Sequence, residues 1–530
     1  MALQQASQND KTIITQYDMY SIEALGFLKM DLLGLKNLTI IEEVLKLIKE
    51  RKGIEIDISK LPLDDKETYH LLQKGETTGV FQIESQGCKY YLKELKPNTF
   101  EDIIVMIALY RPGPMELIPS YINYKHKRKE ITYLHPKLKP ILEKTFGICI
   151  FQEQLMKIAQ ELAGFSLTEA DILRKAVGKK IKSLLVEQKE KLINGMIKNK
   201  IKKEIAEKIW DRILPFARYA FNKAHATAYA MITYQTAYLR AHFPIEFMAV
   251  LMNTEQKNID RLKILLEEIR RMKIKVLPPD INESGKDFTI IDKNTIRFGL
   301  SAIKNVGYNF AEKIIEEKEK GGKYLSIEDF IERIPIEVLN KKSMESLIKT
   351  GVFDKFGERS KLLYNLPTLL EFARSLQRKK INGDGSLFGK KGGISLKLNN
   401  NLTSSKDNDK ILWEKEFLGV FISSHPLLNL KEKIKNTLSI NNLSYTFASQ
   451  QVKIAGLISK IQKITTRIGQ PMLFVTLEDL SGQIEILVFP DVFEKNPLIF
   501  QENKILEITG SVSHKDERLK IICKEAKEIG

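Results

Sequence analysis

The sequence has few cysteines and no long hydrophobic run, and both shortages narrow the class of protein. Its three cysteines lie far apart, without metal-ligand spacing and without a signal peptide ahead of them: Cys88, Cys149 and Cys523. This usage predicts a reducing cytoplasmic environment and no structural zinc. Apolar runs such as FMAVLM at 247–252 are far shorter than the roughly 20 residues that a membrane-spanning helix requires. We therefore expect a soluble protein without a membrane partner.

Acidic residues are also scarce relative to basic ones. The 530 residues contain 67 Asp plus Glu against 84 Lys plus Arg, which gives a formal net charge of +17. A balance this basic favours contact with phosphate backbones, although biased coding of a Lys- and Ile-rich chain would give the same excess. The length predicts three or four domains at about 150 residues per domain.

The hydrophobic patterns predict a multidomain fold that is mainly α with α+β parts. Residues 1–50 read as a polar start, a short apolar strand around 26–32, and a helix whose apolar residues recur at helical spacing, namely Leu38, Ile41, Val44, Leu45 and Ile48. One strand and one helix cannot cover their own faces, so the rest of the sheet comes from elsewhere or the start is poorly ordered. Residues 51–255 predict a large helical domain with proline-containing breaks, as in YRPGP at 110–114.

The second half of the chain changes character twice. Residues 256–378 carry shorter helices joined by glycine-containing turns at Val306-Gly307 and Thr350-Gly351. Residues 379–445 begin with a run rich in Gly, Asn, Ser and Lys, which predicts a mobile linker. Residues 446–530 alternate like strands and contain a hairpin turn at Ser481-Gly482. About five short strands in that length predict a small closed barrel, an OB-fold.

Several long motifs occur in one order and together carry a resemblance. They are TQYDM at 15–19, LKMDLLGLKNLTI at 28–40, TTGVFQIES at 77–85, ALYRPGP at 108–114, FQEQLMKIA at 151–159, DILRKAVGKK at 171–180, FNKAHATAYAMITYQTAYLRAHFP at 221–244 and LGVFISSHPL at 418–427. In this order they resemble the bacterial DNA polymerase III alpha subunit, the replicative family C polymerase, over almost the whole chain. A barrel that follows the helical domains resembles the common form of that family rather than the Gram-positive variant.

The resemblance implies a DNA-directed DNA polymerase, a nucleotidyltransferase that is nucleoid-associated and belongs to a holoenzyme with an associated 3'-5' exonuclease. It assigns 1–50 to the last part of the palm, 51–255 to helical fingers, 256–378 to a tandem helix-hairpin-helix domain on duplex DNA, 379–445 to a linker with a clamp-binding peptide, and 446–530 to an OB-fold on single-stranded template. From the same resemblance we expect that the family's phosphoesterase-like domain, most of its palm, its thumb and its tau-binding region have no counterpart in this chain.

The polymerase reaction also defines what the palm has to supply. Nucleotidyl transfer uses two Mg²⁺ ions about 4 Å apart, held by two or three converging carboxylates. The local sequence alone favours the interpretation of Asp31 as an acid that flanks a helix. The resemblance implies instead that Asp31 is the third palm carboxylate and the only Mg²⁺ ligand in this chain, with the other two on a separate upstream polypeptide. Lys29 matches the family's lysine on the same strand, whose ammonium would meet the triphosphate.

The fingers motifs supply candidates for contacts with dNTPs and primer-template DNA. Four positive side chains lie on successive turns of a predicted helix, where they would meet phosphate oxygens or form a solvated face: Arg174, Lys175, Lys179 and Lys180. Asn222, His225 and Tyr229 share one helical stripe, which would meet a base and sugar or pack in a core. Lys223 lies beside that stripe. Ala220 and Ala224 stand where the family often has Gly and Ser.

Further contacts are predicted outside these two helices. Arg111 in YRPGP is a candidate for a phosphate or primer-strand contact, held by a proline turn. The turns at Gly307 and Gly351 would direct backbone N–H groups toward DNA phosphates. In the linker, DGSLF at 384–388 resembles the sliding-clamp pentapeptide, in which Leu387 and Phe388 fill an apolar pocket. Asp384 replaces the usual leading Gln, which predicts weaker docking.

Two classes of function remain open at this point. The chain is part of a DNA polymerase that works with a second polypeptide and other holoenzyme subunits, or it is a noncatalytic DNA-binding remnant. A reading frame cut short at an internal methionine would give the same sequence. Duplex affinity should fall steeply with salt in either class, so salt dependence does not discriminate between them.

Overall fold

The structure is a computed structural model that describes all residues except 1, 8–9, 29, 31–33, 179–181, 218–219, 382–406, 431, 444–446, 448–449, 467–468, 514–518 and 530. Seven of the predicted site residues lie outside this described part: Lys29, Asp31, Lys179, Lys180, Asp384, Leu387 and Phe388. The run rich in Gly, Asn, Ser and Lys, which was predicted to be mobile, likewise lies mostly within 382–406. The prediction of a mainly helical, multidomain chain that ends in a β-barrel is confirmed.

The first residues form a hairpin and a short helix, where the sequence predicted a polar start and a strand. Strands β1 (Leu3–Ser7) and β2 (Asp10–Thr15) pair antiparallel, and α1 spans Met19–Ala24. The strand expected around 26–32 is absent from the described part of that stretch. Gly26 instead adopts a left-handed φ of 84°, and the Phe27 N–H donates to the Ile22 carbonyl at 3.2 Å. This arrangement ends α1 with a helix cap rather than starting a strand.

Helix α2 (Lys36–Lys52) confirms the predicted amphipathic helix, with a slightly different buried face. Ile41, Val44 and Ile48 are buried as expected, but Ile40 joins them, whereas Leu38 is exposed. This stripe packs on the apolar helix α13 (Pro244–Glu255) and shares its core.

The helical region between these two helices confirms the predicted large α domain. Its helices are α3 (Lys66–Lys74), α4 (Gln86–Leu95), α5 (Phe100–Leu109), α6 (Ile118–Lys125), α7 (Lys139–Leu142), α8 (Gln152–Ala163), α9 (Leu167–Gly178), α10 (Lys182–Lys198), α11 (Lys203–Ala217) and α12 (Lys223–His242). One core joins α12 to α3, α4, α5 and α6, and a second joins α8, α9, α10 and α11. Ala226, Ala230 and Ala237 are fully buried, so small side chains allow α12 to lie close against its neighbours.

The next region mixes a small sheet with short helices. After α14 (Ile259–Arg271), strands β3 (Lys275–Leu277), β4 (Thr289–Asp292) and β5 (Thr295–Arg297) form a sheet in the order β3-β5-β4. The sequence interpretation did not include these strands. The helices that follow are α15 (Tyr308–Gly321), α16 (Ile327–Arg333), α17 (Lys341–Lys349), α18 (Arg359–Tyr364) and α19 (Leu366–Ile381). They share one hydrophobic core with α2, α13 and α14.

The chain ends in a closed barrel, as predicted. Helix α20 (Asp407–Leu418) precedes it, and its strands are β6 (Gln451–Thr465), β7 (Pro471–Glu478), β8 (Gln483–Val488), β9 (Ile505–Ser513) and β10 (Lys520–Glu528), with α21 (Pro490–Lys495) between β8 and β9. The strand order is β10-β8-β7-β6-β9. The predicted hairpin turn joins β7 to β8, where Asp479 Oδ1 accepts hydrogen bonds from the N–H groups of Ser481 and Gly482.

Candidate nucleotide and DNA interface

The start of α12 is fixed by a short backbone bridge to the start of α8. The Phe221 N–H donates to the Ile150 carbonyl, and the Gln152 N–H donates to the Phe221 carbonyl, both at 3.0 Å. Asn222 then caps α12, because its Oδ1 accepts from the His225 N–H at 2.8 Å. Asn222 therefore has a structural role at this helix end.

A row of four rings, which we call the aromatic row, begins at this bridge. Its ring centroids are separated by 5.4 Å from Phe221 to His225, 4.2 Å from His225 to Tyr229 and 5.2 Å from Tyr229 to Phe81. His225 is exposed and Tyr229 is half-buried. The row thus presents ring surface to solvent along one side of α12, which suits stacking against a planar ligand.

Arg111 lies at the Phe221 end of the row. Its guanidinium is 4.1 Å from the centre of the Phe221 ring, and its Nε donates to the Ala108 carbonyl at 2.8 Å. Gly113, with a φ of 98°, and Pro114 turn the chain directly after it. Burial lowers the pKa of Arg111, which still leaves a cation at neutral pH. The turn predicted from YRPGP therefore places a charge beside an aromatic face.

Arg174 and Lys175 lie on α9, and one carboxylate binds both. Asp171 Oδ1 accepts from Arg174 Nε and Asp171 Oδ2 from Lys175 Nζ, each at 2.8 Å. These bonds hold the pKa of Asp171 below its usual value. Arg174 Nη1 also donates to Gln152 Oε1 at 3.4 Å, and Gln152 Nε2 donates to the Ala220 carbonyl at 3.2 Å. Arg174 is thereby connected to the start of α12.

Lys223 completes the cations near the aromatic row. Its N–H donates to both carboxylate oxygens of Glu153, at 3.0 and 2.9 Å. Its Nζ lies 5.6 Å from the centre of the Phe151 ring. The structure thus brings Arg111, Arg174 and Lys223 around the first turn of α12.

Sequence reasoning missed Phe81 and Phe221 as members of the aromatic row. Phe221 precedes His225 by the same four-residue step that separates His225 from Tyr229, so extending the helical stripe by one step would have found it. Phe81 reaches the row from a distant loop. Its N–H donates to Thr236 Oγ1 at 3.2 Å, and its carbonyl accepts from Thr233 Oγ1 at 3.1 Å. No local pattern in TTGVFQIES signals that placement.

The two predicted hairpins differ in what they present to solvent. Gly307 is exposed, a Cβ built there has no neighbour within 4 Å, and the following helix α15 has no side-chain cap. Gly351 is buried, and its N–H donates to the Ile348 carbonyl at 3.0 Å. Helix α18 is capped by Glu358, whose Oε2 accepts from the N–H groups of Ser360 and Lys361. The protein itself therefore supplies the anion at the second hairpin.

The second hairpin is tied to α20 through Arg359. This side chain is 6% exposed and donates from Nη2 to Asp354 at 2.7 Å and from Nη1 to the Lys349 carbonyl at 3.0 Å. Its Nη2 also lies 3.8 Å from Glu414. Glu414 in turn accepts from the N–H of Ser423 at 3.0 Å. Arg359 and Glu414 thus connect the second hairpin to α20 and to Ser423, in the segment that leads from α20 toward the barrel.

Two further properties concern metal binding and membranes. Within the ranges that the structure describes, no group of three or more His, Cys, Asp or Glu side chains is arranged to hold a metal ion. None of the helices in the same ranges combines the length and the apolar character of a membrane span.

Three features define a multidomain nucleic-acid-binding protein. They are the aromatic row with its neighbouring cations, the two hairpins, and the closed five-stranded barrel. Residues 37–200 match the bacterial DNA polymerase III alpha subunit finger domain, 273–362 the helix-hairpin-helix motif, and 452–529 the OB-fold nucleic acid binding domain. The chain belongs to the DNA polymerase III alpha subunit family.

Curated members of this family match the chain nearly from end to end. The DNA polymerase III subunit alpha of Thermus aquaticus is 41% identical over 525 residues, which cover 96% of this chain and 42% of the relative. The subunit of Aquifex aeolicus is 40% identical, with 97% and 43% covered, and that of Bacillus subtilis 38%, with 97% and 46% covered. The chain thus spans less than half the length of these relatives.

Proposed function

We propose that the chain takes part in template-directed DNA synthesis, in which it supplies the surface that binds the incoming dNTP and the primer-template DNA. The observation that carries this proposal is the aromatic row with Arg111 at its end and Arg174 and Lys223 beside it. A planar base would stack on exposed ring surface, and the cations would meet phosphate oxygens. The match to a polymerase finger domain over 37–200 supports it.

Chemistry at the primer end requires more than this surface. We propose that Asp31 contributes one carboxylate to a Mg²⁺ site whose other carboxylates come from a separate polypeptide, and that Lys29 contacts the triphosphate. When bound, Mg²⁺ would stabilise the entering and leaving oxygens. The described residues would bind and orient the nucleotide and exclude water from its base. The activity is therefore expected from the pair of polypeptides.

We propose that two other regions bind DNA. The first hairpin, at Gly307, would donate backbone N–H groups to duplex phosphates, since its glycine is exposed and α15 lacks a side-chain cap. The barrel would hold single-stranded template, with Lys460 and Lys463 exposed on β6. The peptide of Asp384, Leu387 and Phe388 is proposed to dock on a sliding clamp.

The test is primer extension by a mixture of this chain and a polypeptide that carries the other palm carboxylates. Magnesium-dependent extension by the mixture and its loss with Asp31→Asn are expected. Asp260→Asn is the matched control, because that carboxylate is 95% exposed on α14. Failure of the mixture, or unchanged activity with Asp31→Asn, would contradict the proposal. Primer-template binding without incorporation under any pairing would identify a noncatalytic DNA-binding protein instead.

A further inference from the structure

Among the residues that the structure describes, the second half of β10 has a strand partner on one side. β10 pairs with β8 only over Lys520–Ile522, whereas its pairing with β9 continues to Glu528. The N–H of Ile529, directly after β10, donates to the carbonyl of Ile505, the first residue of β9, at 3.0 Å. Because successive residues of a strand point their backbone groups to opposite sides, the groups of Ala526 and Glu528 point away from β9. They are therefore placed to pair with an added strand.

A groove lies between the second half of β10 and the segment of α21. Its floor is apolar and is formed by Val492, Ile499, Phe500 and Ala526. Exposed lysines surround it, namely Lys453, Lys495, Lys524 and Lys527. Two acids also line it, Glu507 and Glu525, and the first is paired with Lys453 at 2.8 Å. The groove therefore combines an apolar floor with an excess of positive charge.

We propose that this groove binds an extended acidic peptide of a partner protein, which adds to β10 as a further strand. In strand addition, backbone hydrogen bonds supply affinity and alternate side chains supply specificity. Acidic residues of the peptide would face the lysines, and the apolar residues between them would face the floor. This inference is independent of the polymerase reaction proposed above.

Single-stranded nucleic acid fits the groove less well. Such ligands gain affinity by stacking bases on exposed aromatic side chains. Phe500, the aromatic side chain that lines the groove, is only 6% exposed, so its ring offers no stacking face. A peptide that inserts small apolar side chains uses this floor better.

The probe is a short fluorescein-labelled peptide of alternating Asp and Val, titrated with the full chain and followed by fluorescence anisotropy. Saturable binding is expected, with protection of the amides of 523–528 from hydrogen exchange. The double variant Lys524→Glu/Lys527→Glu should weaken binding about tenfold or more, since it reverses two charges that face the acids. Lys202→Glu/Lys203→Glu makes the same charge change at two exposed positions by the start of α11 and should leave the affinity unchanged.

A second probe keeps the result independent of the variants. Methylation of alternate backbone nitrogens in the peptide removes donors for strand pairing and should abolish binding to the unaltered chain. Absence of saturable binding would overturn the proposal, as would equal affinity for the double variant or for the methylated peptide. Protection of 523–528 by oligo(dT) but not by the peptide would show a nucleic-acid site instead.

Discussion

The guanidinium of Arg111 lies 4.1 Å from the centre of the Phe221 ring. Arg111 follows α5 and Phe221 precedes α12, so this contact connects the ends of two helices in one core. The backbone bridge from Phe221 to Ile150 and Gln152 adds the start of α8. Three separate segments thus converge on the proposed nucleotide surface.

Replacing Arg111 tests the cation at the aromatic row. Arg111→Lys keeps the charge but loses the planar group that lies over Phe221, so we expect the KM for dNTPs in the complemented polymerase to rise about tenfold. Arg128→Lys, at an exposed position after α6, is the matched control. Steady-state primer extension measures the KM of both variants. A KM for Arg111→Lys equal to that of the unaltered protein would contradict the role of Arg111.

The two hairpin glycines should respond differently to alanine. Gly351 has a φ of 83°, and a Cβ there would lie 2.2 Å from Arg359 Nη2. Gly351→Ala is therefore expected to destabilise the fold by about 2 kcal/mol or more. Gly307→Ala meets open space and should leave the urea midpoint unchanged. Reversed effects in urea unfolding would contradict this assignment.

Substitutions at the same two hairpins can distinguish an effect on DNA binding from an effect on stability. Gly307→Glu places a negative charge at the hairpin proposed to face phosphates, so duplex affinity should fall about tenfold while the fold is retained. Gly357→Glu makes the same substitution in the loop of the second hairpin, where a Cβ meets Leu362 at an ordinary contact distance of 3.5 Å, and should leave duplex affinity nearly unchanged. Gel-shift titrations at one salt concentration make the comparison, and a larger loss with Gly357→Glu would refute it.

His425 should make stability depend on pH. It is 7% exposed, and burial lowers its pKa to about 4. The unfolded chain binds a proton near pH 6.5 and the folded chain does not, so stability is full above about pH 6.5 and is lost as pH falls toward 4. The loss should be on the order of 2–3 kcal/mol. His425→Gln should flatten this slope, whereas His70→Gln on the exposed face of α3 should not; urea midpoints across that range measure both.

A buried ion pair joins α2 to α13. Glu246 has no exposed side-chain surface and accepts from Arg51 at 2.7 Å, with Lys52 at 3.5 Å. Arg51→Met leaves a buried carboxylate with weaker compensation and should cost about 2 kcal/mol. Lys49 lies on the same helix and forms an exposed pair with Glu55, which follows the end of α2. Lys49→Met breaks that pair and should change stability by less than about 0.5 kcal/mol. Denaturant unfolding of both variants gives the comparison, and similar losses would show that burial does not matter here.

The sequence by itself determined the helical region, α2 and the barrel, because the period of the apolar residues decides between helix and strand. It also determined the family, since long motifs in one order are specific. At the proposed site it placed His225 and Tyr229 on one stripe, because that relationship is local. The spacing of four residues is enough to bring two side chains together on a helix.

Only the tertiary structure decided which distant residues meet. Phe81 joins the aromatic row because Thr233 and Thr236 of α12 hold its backbone, and Arg111 reaches Phe221 because two helix ends share one core. The same holds for the two hairpins. Their glycine turns are similar in sequence, but the side chains of Arg359 and Glu358 occupy the space beside the second turn and bond to residues around it. Such contacts depend on packing between segments far apart in sequence, and no local pattern of residues encodes them.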